Sequence, residues 1–199
     1  MIRRVAFCLT PLLLASCAWK KPLPPEPPKP SFHVDQARYD ALRPKDTRVR
    51  IDLTEQKAQV LDRHDAVVLE TDVSTGKPGH ETPAGSFRIT EKIADKRSNR
   101  YGRYKDPKSG ADLGASADLP KPPKDAVYEG YSMPYWMRLT WDGVGIHVGY
   151  VVPRSALSYG CIRVPQAVQP LIFEKCRVGT PVEITGDAGG GLKPAHPAR

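Results

Sequence analysis

Hydrophobic and polar positions alternate along the chain from residue 47 onward in a pattern typical of β-strands. Val49, Ile51 and Leu53 are separated by charged residues, and after a polar turn the same period resumes at Ala58. A period of two places alternate side chains in the core and the others in water. This part of the chain therefore predicts successive antiparallel strands with one buried face.

The later half of the chain predicts more strands and one short helix. Strand character returns at residues 136–140 and 143–148 and again at 181–185, and a helical pattern covers about 165–175. Residues 91–132 between them are polar and nearly aperiodic, which favours a long lid-like loop, with a variable surface loop as the alternative. We therefore expect a mostly β fold, a β-sandwich with one or two short helices.

The N-terminus predicts export from the cytoplasm. Two arginines precede an apolar run at residues 5–14, which is too short to span a bilayer. Residues 1–16 are therefore a predicted signal peptide. The small residues before Cys17 resemble a bacterial lipobox, which would make Cys17 the lipid attachment point; cleavage nearby without a lipid is the alternative. Because Ala18 rather than Asp follows, the pattern resembles lipoproteins of the Gram-negative outer membrane, and we expect a periplasmic, lipid-anchored protein.

The regions that flank the patterned segment differ from it in composition. Residues 17–46 are predicted to form a tether, because six of the nine residues at 22–30 are proline and proline favours extended polyproline II. Within this tether, residues 32–42 fit either a short helix or an arm that precedes the domain. The predicted domain covers 47–186, and residues 187–199 are a flexible tail rich in Gly and Pro.

Charge and motif content limit the possible functions. The chain has 199 residues and a formal charge of +8, which favours anionic surroundings. The basic residues are scattered without a nucleic-acid recognition motif, so we expect no nucleic-acid partner. A carboxylate-rich cell wall fits the charge equally well, and solvated surface lysines are its commonest explanation. No metal-ligand spacing and no phosphate-binding glycine loop occurs, and we expect neither metal nor cofactor.

The cysteines indicate one reactive thiol. Cys8 leaves with the signal peptide and Cys17 would be acylated, so the domain keeps Cys161 and Cys176. Two cysteines in an oxidising compartment can form a disulfide. Cys176 lies on an apolar segment and is predicted to be a small buried hydrophobic residue. Cys161 is then the candidate nucleophile.

Cys161 and His147 have the layout of an acyl-transfer site. His147 is predicted at the end of a strand, and Cys161 follows Ser158, Tyr159 and Gly160 in a loop rich in Pro, Ser and Gly. A thiolate attacks a carbonyl, an imidazole moves protons, and loop amides hold the developing oxyanion. By spacing alone, a buried structural cysteine beside a hydrogen-bonded loop histidine remains the alternative.

This stretch resembles the signature of the L,D-transpeptidase catalytic domain (YkuD) family, a His followed by a Ser/Thr-His-Gly-Cys block and an Arg. The chain matches it at His147, Ser158, Gly160, Cys161 and Arg163. The Thr-Pro-x-Gly-x-Phe pattern at residues 82–87 is also typical of the family and is interpreted as structural. The resemblance covers 47–186 and implies the family's β-sandwich. The chain departs from the motif at Tyr159, where the family usually has histidine.

The resemblance implies that Cys161 forms a thioester with the stem tetrapeptide of peptidoglycan, releases D-Ala, and transfers the acyl group to an amine. The acceptor would be a second stem, for a 3-3 cross-link, or a protein that becomes attached to the wall. His147 would accept and return the proton, and the amides of residues 159–161 would stabilise the oxyanion. Arg163 would either bind a substrate carboxylate or anchor the loop.

The same residues also fit other functions. A related Cys hydrolase, which trims stems as an L,D-carboxypeptidase or releases a wall-anchored protein, would use the same residues. If the family's histidine takes part in proton transfer, Tyr159 would leave a non-catalytic, wall-binding lipoprotein; if it acts only through its backbone or a hydrogen bond, Tyr159 can replace it. Ser158 is predicted to shape the loop. His80 fits a solvated loop histidine better than a second site histidine.

Overall fold

The structure of the protein is a computed structural model that describes residues 26, 28–119 and 121–187. Within them the chain forms two β-sheets and two α-helices. The predicted signal peptide, Cys17 and residues 188–199 of the predicted tail lie outside the described residues. In the described part of the chain, none of the helices is long and apolar enough to cross a bilayer.

The first sheet has six strands in the order β1-β4-β3-β2-β11-β5. Its strands are β1 (Phe32–Val34), β2 (Arg48–Asp52), β3 (Lys57–Leu61), β4 (Val67–Asp72), β5 (Gly85–Arg88) and β11 (Pro181–Thr185). All neighbours are antiparallel except β11 and β2. The predicted alternation is present in β2, where Val49 and Ile51 are buried and the arginines beside them are partly exposed.

The second sheet has five strands in the order β10-β9-β8-β6-β7. Its strands are β6 (Glu91–Lys105), β7 (Asp112–Ala115), β8 (Val127–Arg138), β9 (Gly145–Val148) and β10 (Ile162–Val164). Only β9 and β10 run parallel. This parallel pair brings the segment of the predicted nucleophile beside the strand of the predicted histidine.

One hydrophobic core is shared by both sheets and both helices. It joins Leu69 of the first sheet to Met137 and Ile146 of the second, and all three are almost fully buried. The helices are α1 (Gln36–Ala41) and α2 (Gln169–Lys175). Proline is tolerated in the first turn of α2 because the N–H groups there have no intrahelical partner. The mostly β fold and the predicted C-terminal helix are confirmed.

The predicted irregular loop over residues 91–132 is wrong in its secondary structure. This region forms β6, β7 and the first half of β8, and β6 and β8 pair as a long antiparallel ribbon. Most of its side chains are exposed or half-buried, so the ribbon has no continuous apolar face to produce an alternating pattern. A register shift between Arg97 and Gly102 interrupts the period further. Hydrogen bonds between the two backbones hold the ribbon together, and the pattern of side chains along the sequence does not reveal these bonds.

The predicted tether also ends earlier than residue 46. β1 pairs with β4, and Tyr39 of α1 and the following Leu42 are buried in the core. Ser31 fastens this arm, because its N–H and its hydroxyl donate to the Asp72 carboxylate at 2.6 and 2.8 Å. The short strand was missed, and the helix was left undecided against an arm, because three and six residues are too few to show a period.

Candidate active site

The parallel strands β9 and β10 bring the two predicted catalytic residues to one cavity. His147 lies on β9, Cys161 immediately precedes β10, and Arg163 of β10 is in register with His147. The cavity has a volume of about 630 Å³ and is lined by both residues. Its walls also include Tyr101, Tyr131, Met133, Ser158, Tyr159 and Arg163. The β6–β8 ribbon therefore forms one wall of the site.

The His147 imidazole has a defined tautomer. Its Nδ1 lies 2.7 Å from the carbonyl oxygen of Val148. Because a carbonyl can only accept, Nδ1 carries the proton and Nε2 keeps its lone pair. Burial is the main cause that lowers the pKa of His147 from 6.5 to about 4; the hydrogen bond to Val148 opposes it, and the charge of Arg163 lowers the pKa further. The imidazole is therefore neutral near pH 7 and can accept a proton at Nε2.

The Cys161 thiol is neutral in the resting site. It is partly exposed and donates to the Gly143 carbonyl oxygen at 3.6 Å. Burial raises the pKa of Cys161, while the Gly145 N–H and the charge of Arg163 act to lower it. Within the described structure the thiol and the imidazole are not hydrogen-bonded to each other. The arrangement fits transfer of the thiol proton during attack rather than a preformed thiolate–imidazolium pair.

The buried imidazole makes stability dependent on pH. Between about pH 6.5 and about pH 4 the unfolded chain binds a proton at His147 that the folded chain does not, so stability falls as the pH falls. The loss reaches about 3 kcal/mol below pH 4. Denaturant unfolding at several pH values should show this slope in the wild type and a shallower one in His147→Gln. Equal slopes would show that His147 is not held neutral by burial.

The loop before Cys161 is shaped by side-chain hydroxyls. The Ser158 hydroxyl donates to the Cys161 carbonyl oxygen and accepts from the Gly160 N–H at 3.1 Å. The Thr82 hydroxyl donates to the Gly160 carbonyl oxygen at 2.8 Å. Gly160 has a φ of +111°, which favours glycine. Within the described residues the N–H groups of Tyr159 and Cys161 have no hydrogen-bond acceptor, so they are available to an oxyanion.

Tyr159 is held by three side chains. Its ring lies 4.5 Å from the ring of His80 and 4.9 Å from that of Tyr101, and the Lys77 ammonium lies 4.1 Å from its centroid. His80 is exposed, as expected for a solvated loop histidine, although it packs on Tyr159. The Tyr159 hydroxyl has no hydrogen-bond partner among the described residues. Tyr159 is thus a fixed part of the cavity wall.

Arg163 is fixed through its backbone rather than its guanidinium. Its N–H and its carbonyl oxygen bond to Ser74 at 2.9 and 3.0 Å. In the part of the chain that the structure describes, the guanidinium has neither a hydrogen bond nor an ion pair. Of the two predicted roles, anchoring of the loop by the side chain finds no contact, and the guanidinium lines the cavity instead.

Trp136 and Tyr131 were not predicted as residues of the site. Trp136 is 2% exposed, and its ring lies 5.9 Å from that of His147. The pairing of Met137 with Ile146 places Trp136 directly across from His147, so strand pairing was the signal that could have identified it. Tyr131 was missed because its segment, residues 91–132, was interpreted as a loop. Among the described residues, no group of three or more His, Cys, Asp or Glu side chains could hold a metal ion.

Comparisons with known proteins agree with one another. The family model of the L,D-transpeptidase catalytic domain (YkuD) matches residues 46–184. An L,D-transpeptidase from Mycobacterium smegmatis is similar in structure, with a TM-score of 0.55 and 18% identity over 71% of this chain and 59% of that chain. One from Stackebrandtia nassauensis has a TM-score of 0.52 and 21% identity over 76% and 62%.

A third solved structure is similar over almost its whole length. The catalytic domain of the L,D-transpeptidase from Enterococcus faecium has a TM-score of 0.50 and 29% identity, over 70% of this chain and 97% of that domain. The chain spans about three fifths of the first two solved structures. No curated protein matches.

Proposed function

This chain belongs to the L,D-transpeptidase catalytic domain family, and on that premise we propose that it is an active peptidoglycan L,D-transpeptidase with Cys161 as its nucleophile. The donor is the stem tetrapeptide, and the bond that breaks joins its third residue to the terminal D-Ala. One observation carries the proposal: the neutral thiol of Cys161 and the imidazole of His147, whose Nε2 has no partner among the described residues, line one cavity together.

Acylation begins when the Cys161 thiol passes its proton to Nε2 of His147 as sulfur bonds to the substrate carbonyl carbon. The carbonyl oxygen becomes an oxyanion, which the N–H groups of Tyr159 and Cys161 are free to bind. The intermediate collapses when the C–N bond breaks. The imidazolium returns the proton to the departing nitrogen, so D-Ala leaves as an amine and the acyl group remains as a thioester.

Transfer reverses this proton path. The acceptor amine gives a proton to neutral His147 while its nitrogen bonds to the thioester carbon, and the C–S bond breaks as the proton returns to sulfur. A second stem as acceptor yields a 3-3 cross-link, and a protein amine yields wall attachment. Water as acceptor would give a shortened stem, the product of the hydrolase alternative.

Tyr159 is compatible with this mechanism. The step that needs a base is assigned to His147, whose tautomer is set by Val148 without any help from the Tyr159 position. Tyr159 contributes a backbone N–H and a packed ring, which does not require an imidazole. We also propose that Cys17 carries a lipid that anchors the protein in the envelope, on the strength of the small residues before it.

The test is incubation of the purified protein with tetrapeptide muropeptides, followed by intact-protein mass spectrometry and analysis of the soluble products. An acyl adduct with release of D-Ala supports the nucleophilic mechanism, and a new 3-3 cross-link identifies the transferase. Shortened stems alone would assign the hydrolase instead. Binding of muropeptides without adduct or D-Ala would refute the enzymatic proposal and leave a wall-binding protein.

A further inference from the structure

Among the described residues two arginines line the cavity beside Cys161, and one of them has no partner. Arg103 lines the same cavity, but its guanidinium is paired with the Asp112 carboxylate. The Arg163 guanidinium is partly buried and has no ion pair or hydrogen bond among the described residues. Burial lowers the pKa of Arg163, against the opposing influence of Cys161 and Tyr159. A cation that is removed from water without a partner costs free energy, so we expect an anionic ligand to bind this guanidinium.

The backbone holds Arg163 in a defined position. The Ser74 backbone forms hydrogen bonds with the N–H and the carbonyl oxygen of Arg163. The first atoms of the Arg163 side chain pack directly against Gly149. A Cβ atom at Gly149 would lie only 2.7 to 2.9 Å from Cβ, Cγ and Cδ of Arg163, so the close packing requires glycine there. The first atoms of the side chain therefore have little freedom, and the guanidinium is pre-organised for its ligand.

A second polar group accompanies this guanidinium. The Tyr159 hydroxyl has no partner among the described residues, and Tyr159 lines the same cavity as Arg163. The stacking of His80 and Tyr101 and the ammonium of Lys77 hold the phenol ring in place. A guanidinium and a phenol hydroxyl are both donors, and together they suit a carboxylate.

The spacing along the chain suggests which carboxylate binds. Arg163 follows Cys161 by two residues at the start of β10, and two residues of a strand span about 6.6 Å. When the scissile carbonyl carbon is at Cys161 Sγ, the carboxylate of the departing residue lies one residue beyond it, within about 4 Å of chain. The terminal carboxylate of the substrate is therefore the anion within closest reach of the cysteine.

We propose that the Arg163 guanidinium and the Tyr159 hydroxyl form a carboxylate subsite for the free C-terminal carboxylate of the residue that leaves. This inference rests on the proposed function, because it assumes that the scissile bond lies at Cys161. The subsite makes the enzyme selective for a stem with one residue beyond the scissile bond. A stem whose end is amidated, or which carries a further residue, loses this contact.

The test measures binding to the full-length Cys161→Ala protein, which cannot turn the substrate over. Three ligands are compared by calorimetry: the tetrapeptide acid, the same peptide with its C-terminus amidated, and one with only its side-chain carboxylate amidated. We expect the acid to bind about 10- to 100-fold more tightly than the C-terminal amide, as for a charge-assisted contact. The side-chain amide should bind like the acid.

Variants made in the Cys161→Ala background test which residues cause the preference for the acid. Arg163→Gln should remove the preference for the acid, and Tyr159→Phe, which keeps the ring, should reduce it. Arg50→Gln removes one positive charge from β2, and Tyr104→Phe removes a phenol hydroxyl from the ribbon; neither residue lines this cavity. Both controls should keep the preference. If Arg163→Gln does not fold, Arg163→Lys should show a weaker preference.

The possible outcomes separate this inference from the proposed function. Equal binding of the acid and the C-terminal amide would overturn the subsite, even if the wild type forms a thioester. A preference that depends on Arg163 in a protein that never forms a thioester would keep the subsite and refute the transpeptidase. If amidation of the side chain removes the preference, the subsite binds a different carboxylate and the assignment to the leaving residue is wrong.

Discussion

Replacing Cys161 with alanine is expected to abolish the acyl adduct and to lower D-Ala release at least about 10³-fold, because no other group in the cavity can form a thioester. The substitution removes a partly exposed thiol and leaves the hydroxyls of Ser158 and Thr82 to hold the loop. Muropeptide binding should therefore remain. The measurement is intact-protein mass together with a D-Ala assay, on a variant whose fold is checked by circular dichroism.

Cys176 provides the matched control. Its thiol is 2% exposed within the core, and burial raises the pKa of Cys176 to about 12, which leaves it inert as a nucleophile. Both cysteines are free, so no disulfide between them has to be replaced. Cys176→Ala should keep the adduct while lowering the free energy of unfolding by about 1 kcal/mol. Loss of the adduct in this variant, with the fold intact, would contradict the assignment of Cys161.

Replacing His147 with glutamine is expected to reduce the acylation rate about 10²- to 10⁴-fold. The thiol is neutral at rest because burial raises the pKa of Cys161, so attack at neutral pH needs a group that removes its proton. Glutamine offers no such acceptor. Single-turnover acylation, followed by mass spectrometry after rapid quench, measures this rate directly.

The pH profile of the same variant distinguishes a lost base from a misplaced thiol. In the wild type, His147 is neutral well below pH 7, so the rate should change little above about pH 5. In His147→Gln the rate should rise with pH, because the thiolate then forms without a base. A variant profile parallel to that of the wild type would argue that His147 only packs beside Trp136.

Strand patterning predicted the elements that bury one face and missed those that do not. β2 and β3 were predicted because their alternating residues enter the core. The β6–β8 ribbon was not predicted, since both of its faces are largely exposed or line the cavity. Hydrogen bonds between distant backbones leave no trace in a pattern of side chains.

The candidate site, like the fold, was predicted only in part from the sequence. The motif around Cys161 and the distant His147 were identified by residue type, because acyl transfer needs a thiol and an imidazole wherever the fold places them. The tautomer of the imidazole, the packing of Trp136 and the ring of contacts around Tyr159 were not predicted. Each depends on a neighbour from another strand or loop.

The sequence by itself determined which groups are available to this protein: the candidate thiol Cys161, the candidate imidazole His147 and a glycine that permits the turn before Cys161. Only the tertiary structure decided how those groups are poised. Burial holds both the thiol and the imidazole neutral, and the pairing of β10 with β9 and Ser74 places Arg163 on the wall of the cavity. The physical reason is that residue identity sets what a group can do, whereas pKa and partners depend on solvent exclusion and distances between segments remote in the chain.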